Sequence, residues 1–168
     1  MPTTTPPPAA GAAVATAATT GVAATPVDPV VTASPVDAVA TGEADAAVRR
    51  VLAAYFDGLH HGDTAALAGV FHPEAVYATA TEGVLLRLTM PEYFPLVDAR
   101  EPPAARREAR RDLVVSVEFA GPVTALARVE CSMGPRRYTD FLTLLLLDGR
   151  WQVIAKVFHF ETRPAEGE

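Results

Sequence analysis

The chain is poor in cysteine, lysine and positive charge, and each shortage removes a class of function. A single cysteine, Cys131, rules out an internal disulfide and a site built on several thiolates. Lys156 is the only lysine among 14 basic residues. Twenty acids set against those bases leave a formal net charge of −6, which argues against nucleic acid and against anionic membrane surfaces, since both need a basic face. No apolar run approaches the ~18 residues of a membrane span; the longest, Phe141 to Leu147, is the length of a strand. No basic residue precedes Arg49, so a secretory leader is not expected. With no disulfide to form, the chain is expected in the cytoplasm. There is no Gly-rich phosphate loop, nucleophile elbow or spaced set of His ligands. Neither a metal nor a cofactor is expected.

What is present is apolar. Hydrophobic residues make up 49% of the 168, enough for one sizeable core. They are unevenly placed. Residues 1–42 are mostly Pro, Ala, Thr and Val, with no aromatic residue, and read as a disordered tail. Residues 43–163 read as one folded domain, and 164–168 as a disordered end.

The domain should open with a helix capped by Thr41 or Asp45, since Val48, Val51, Leu52, Tyr55, Phe56 and Leu59 recur at helical spacing. Asp63 should cap a second short helix over 64–70, followed by a turn or short helical piece at 71–75 around Pro73. Two strands should flank Glu82-Gly83, and Thr89, Pro91 and Glu92 signal a third helix to about Ala99. Four hairpin-linked strands, near 110–119, 123–132, 137–147 and 150–162, complete an α+β domain.

Asp148-Gly149 is the strongest turn signal. A two-residue turn there pairs Leu147 with Arg150. Regular pairing then puts Leu146, Leu144, Leu142, Trp151, Val153, Ala155 and Val157 on one face, with Asp140, Tyr138 and His159 at one end. The preceding turns add Cys131, Val129, Ala127, Ala125, Val117, Val115 and Leu113. Small residues at Ala125, Ala127 and Ala155 leave room for a ligand-sized hollow. The opposite face, with Thr139, Phe141, Thr143, Ile154, Lys156, Phe158 and Phe160, is mixed and suits a second subunit.

In this register Tyr138 lies opposite His159, with Asp140 diagonal to it. Asp140 and His159 are therefore the candidate acid–base pair, because a carboxylate beside an imidazole holds its tautomer and raises its basicity. Tyr138, Tyr55, His72 and Trp151 are the candidate ligand-binding residues. Mutual satisfaction of buried polar groups, ligand binding and catalysis all remain open for this cluster.

Two stretches carry a resemblance. The helix from Val48 to Leu59 with Phe71-His72-Pro73-Glu74-Ala75 resembles the opening of nuclear transport factor 2-like domains. Tyr138-Thr139-Asp140-Phe141-Leu142, followed by Asp148-Gly149-Arg150-Trp151 and the strand to His159, resembles the lumazine-binding branch of that superfamily. The resemblance implies a cone-shaped α+β barrel, helices on a curved mixed or antiparallel sheet of about six strands, and a homodimer joined through the outer sheet face. It implies a small-molecule-binding protein with no single activity, because the superfamily spans isomerases, cyclases, dehydratases and binding modules. The alternatives are a cofactor-free lyase, isomerase or cyclase using Asp140 and His159, and a protein-interaction domain using the outer sheet.

Overall fold

The computed structural model describes residues 35–163, with side chains described from residue 41. The tail expectation over 1–34 and the disordered end over 164–168 lie outside the described residues. Residues 35–42, expected as tail, are helical: α1 spans Pro35–His61 and so begins before either expected cap. Its apolar stripe is buried as the spacing requires, at Val48, Leu52, Tyr55, Phe56 and Leu59.

Helix α2 (Thr64–Val70) starts where Asp63 accepts a hydrogen bond from the Ala66 N–H. It packs tightly on α1, since a Cβ on Gly58 would stand 2.7 Å from Leu67 Cδ2. The turn expected at 71–75 is instead the start of a strand, β1 (Phe71–Thr79). Pro73 is tolerated because pairing to the neighbouring strand β6 (Arg150–Thr162) is interrupted between Phe71 and Val76, so no ladder N–H is missed.

Strand β2 (Leu86–Thr89) pairs antiparallel with β1, and Thr89 then opens α3 (Met90–Asp98). Both the backbone N–H and the hydroxyl of Thr89 donate to Glu92 Oε2, at 2.8 and 2.7 Å. Strands β3 (Leu113–Phe119), β4 (Thr124–Met133) and β5 (Arg136–Leu147) form a meander with β6. The sheet runs β2-β1-β6-β5-β4-β3, with β1 parallel to β6 and every other pair antiparallel. It is open, with β2 and β3 as its edges. The three helices cover one face.

The Asp148-Gly149 turn forms as expected, with positive φ at both residues, and Leu147 pairs with Arg150. Regular pairing holds to Leu144 opposite Val153. There the ladder shifts: Thr143 pairs with Ala155, and Ile154 is the extra residue of a β-bulge. Beyond it, β6 is inverted relative to expectation. Lys156 and Phe158 point inward and are buried, while Val157 and His159 are exposed. A second bulge, at Val115 between Val114 and Ser116, does the same to β3. Val117 stays inside, but Val115 and Leu113 turn out to solvent and Val114 turns in. Strand β4 follows expectation throughout, with Ala125, Ala127, Val129 and Cys131 buried.

Candidate functional site

The bulge at Ile154 decides the chemistry of the interior. It brings Lys156 from β6 opposite Leu142, one step along the inner face from Asp140 on β5. Helix α1 lays Tyr55 over both. Lys156 Nζ donates to Tyr55 Oη at 2.6 Å and to Asp140 Oδ2 at 3.1 Å. Tyr55 in turn donates its hydroxyl hydrogen to Asp140 Oδ2 at 2.6 Å. Lys156 is 2% exposed and Asp140 and Tyr55 are 0% exposed. These three hydrogen bonds fit an ammonium using two of its three donors, a neutral phenol and a carboxylate.

Burial is the largest single influence on Lys156 and lowers its pKa, but the Asp140 carboxylate together with the surrounding Tyr93, Tyr77 and Cys131 groups more than offsets it and holds it above the ordinary lysine value. Burial pushes the Tyr55 phenol well up, and the neighbouring Asp140 charge adds to this. Lys156 therefore stays a cation and Tyr55 a neutral acid across the physiological range. The remaining surface of the ammonium faces rings: Phe158 at 4.9 Å, Tyr77 at 5.6 Å and Tyr138 at 5.8 Å. One atom of the cluster is left over. Asp140 Oδ1 is buried and accepts no hydrogen bond.

The same three rings form part of the wall of a cavity of about 330 Å³. Its wall also includes Phe160 and Leu86, and Arg136 lies at its rim with the guanidinium 4.2 Å from the centre of the Phe160 ring. Tyr77 stacks on Tyr93 of α3 with centroids 4.3 Å apart, which stiffens one side of the wall. The cavity thus lies between the β1–β2 connection and the start of β5, and Tyr55, Asp140 and Lys156 are not part of its wall. It does not lie over the small residues Ala125 and Ala127, which are packed into the core, and Ala155 faces the other side.

The candidate residues from the sequence divide accordingly. Tyr138 lines the cavity, and Tyr55 joins the triad but not the cavity wall. Asp140 is at the centre of the site. The expected partner His159 is not: it pairs with Thr139 on the outer face, is exposed, and lies 3.1 Å through Nδ1 from Thr81 Oγ1. No Asp140–His159 pair exists, because the bulge puts the two side chains on opposite sides of the sheet. Trp151 is core, edge-on to Phe119 at 5.9 Å, and His72 Nδ1 accepts from the Glu74 N–H; neither lines the cavity. The residues missed were Lys156, Tyr77, Phe158 and Phe160. One signal was available for three of them. The apolar phase along β6 changes, from Trp151 and Val153 at odd positions to Phe158 and Phe160 at even ones. Among the described residues, no three His, Cys, Asp or Glu side chains converge as a metal site would require.

Known proteins agree with this architecture. Residues 43–159 match the family model described as "Putative lumazine-binding". A curated protein from a Cladobotryum species named Aldolase FrzH is 26% identical over 121 residues, covering 71% of this chain and 92% of its own. An NTF2-like protein of unknown function from Silicibacter pomeroyi superposes with a TM-score of 0.64 at 28% identity, over 72% of this chain and 98% of its own. A second from Shewanella baltica gives 0.65 at 22% identity, over 74% and 97%. This chain belongs to the lumazine-binding family of the NTF2-like superfamily, with its cone-shaped α+β fold.

Proposed function

We propose that this protein binds a small planar molecule in the cavity walled by Tyr77, Tyr138, Phe158 and Phe160. The observation that carries this reading is the cavity itself: about 330 Å³, walled by four aromatic rings and by Val84, Leu85 and Leu86, with Thr79, Glu82 and Arg136 as its polar groups. Binding pockets have this make-up, and the volume matches a ligand of one or two fused rings. Family membership points the same way. Tyr138→Ala is expected to weaken the binding of small fused-ring aromatics at least tenfold by calorimetry. Equal affinity in the variant would remove the cavity as the binding site.

A second reading has its own observation. The relative named an aldolase and the unpartnered, buried Asp140 Oδ1 favour a cofactor-free carbon–carbon lyase. In it, the carboxylate takes a proton and Tyr55 and Lys156 steady the charge that develops. Incubation with β-hydroxy ketones, read by mass spectrometry, tests this: cleavage products lost in Asp140→Asn support it, and full recovery of every probe counts against it.

We also infer a homodimer through the outer sheet face. Phe141 and Val157, paired across β5 and β6, are 47% and 50% exposed, and Leu126, Leu113 and Val115 extend the apolar patch. A second copy would bury it.

A further inference from the structure

Beside the aromatic cavity, three arginines hold donors that the fold does not use. Arg111 and Arg163 form no side-chain hydrogen bond and no ion pair among the described residues. Arg136 has one charged neighbour, Glu82 at 3.9 Å, which is beyond hydrogen-bond distance. All three arginines line one cleft of about 220 Å³, together with Ser132, Gly134 and Glu108. A chain of net charge −6 thus gathers unmatched positive charge in one hollow.

Three distant segments build the cleft, and hydrogen bonds tie them together. The Arg163 N–H, just past β6, donates to the Pro135 carbonyl in the β4–β5 turn at 2.8 Å. The Gly134 N–H of the same turn donates to Glu108 Oε2 at 2.9 Å, which fixes the chain leading to Arg111. Glu108 is the one acid in the wall, and it is already engaged: Arg106 Nε donates to its other oxygen at 2.6 Å. A second cleft repeats Arg111, Ser132 and Arg163 in its wall. The acids there, Glu130 and Asp112, are paired with Arg137 and Arg110.

Arg136 joins the first cleft to the aromatic cavity, because it belongs to the walls of both. Its guanidinium lies over the Phe160 ring, 4.2 Å from the centre, a contact that holds the group without using an N–H. One guanidinium suffices for a carboxylate, through two parallel N–H···O bonds. Three around one hollow suit a group with more charge and more acceptors, and a phosphate monoester carries nearly two charges on three such oxygens. We propose that the ligand of the aromatic cavity is a phosphate ester. Its ring lies among Tyr77, Tyr138 and Phe160, and its phosphate lies past Arg136 in the cleft with Arg163 and Arg111. The inference rests on the binding reading above and adds to it a second site and the charge of the ligand.

The test compares 1-naphthyl phosphate with 1-naphthol by calorimetry on the full chain at about pH 8, where the ester is mostly a dianion. The wild type is expected to prefer the ester at least tenfold. Arg136→Gln, and Arg111→Gln combined with Arg163→Gln, should each cut that preference at least threefold, with 1-naphthol bound as before. Arg50→Gln, which removes an exposed arginine from α1, should keep the preference. Equal wild-type affinity for both probes would overturn the phosphate and leave the cavity reading intact. An unchanged preference in the double variant at Arg111 and Arg163 would overturn the cleft as its seat. An equal loss in Arg50→Gln would also overturn it, by tracing the preference to overall charge. Binding of neither probe would overturn the cavity reading and this inference with it.

Discussion

Lys156 shows how one residue can be both the hardest to place and the most consequential. A lone lysine within Val153-Ile154-Ala155-Lys156-Val157-Phe158 has two homes, solvent or a paired interior site. Here it is interior, held by Asp140 and Tyr55. Buried pairs of this kind cost several kcal/mol to break from one side, because the partner is left charged and dry. Lys156→Met is expected to destabilise the protein by about 3–5 kcal/mol in urea titration, and adding Asp140→Leu to recover a substantial part of the loss. A change below about 1 kcal/mol for the single variant would show that the pair is not buried as described.

The same cluster sets the alkaline limit of stability. Lys156 and Tyr55 are both raised, and burial first, then the Asp140 charge, pushes the Cys131 thiol up to about 12. In each case the folded state keeps a proton that the unfolded chain has already lost, so stability falls as pH rises through that interval. For Cys131 the interval runs from the ordinary thiol range, about 8.5, to about 12; for Lys156 and Tyr55 it begins near their ordinary values, about 10. Stability measured by denaturant titration should therefore be flat from pH 7 to 8 and decline above pH 9, with a shallower decline in Cys131→Ala. An identical slope in that variant would contradict a buried thiol.

At the scale of elements, turn chemistry and helical spacing were readable and bulges were not. Asp63 and Thr89 cap α2 and α3 where their side chains reach backbone donors or a carboxylate partner, and these are local interactions. Asp148-Gly149 closes its hairpin because both residues accept positive φ. Each of these signals is complete within a few residues. The bulges at Val115 and Ile154 have no such local mark, since neither is a glycine and both are β-branched. One extra residue reverses every side chain beyond it. That single step moved His159 out and Lys156 in. Deleting Ile154 would restore regular pairing and drive Lys156 and Phe158 to the outer face. The expected result is loss of cooperative unfolding and of dispersed amide resonances. A deletion variant that melts like the wild type would show that the bulge does not set the inner face.

At the scale of the molecule, the sheet has two unlike faces. The inner one carries the core, the triad and the cavity wall. The outer one mixes apolar residues with ion pairs such as Arg137–Glu130 at 2.5 Å. Phe141→Arg, at the centre of the outer patch, should shift the protein from dimer to monomer in light scattering without changing its melting in dilute solution. A wild-type monomer at tens of micromolar would refute the dimer. No helix among the described residues is long and apolar enough to cross a membrane.

The fold class, the order of the elements, the buried stripe of α1, the turn at Asp148-Gly149 and the register of β4 were all contained in the sequence. They depend on spacing and on contacts a few residues apart, which a linear pattern encodes. The partner of Asp140 and the place of the cavity were decided only in three dimensions. Each depends on side chains from distant segments meeting on one face, and two bulges chose which side chains those are.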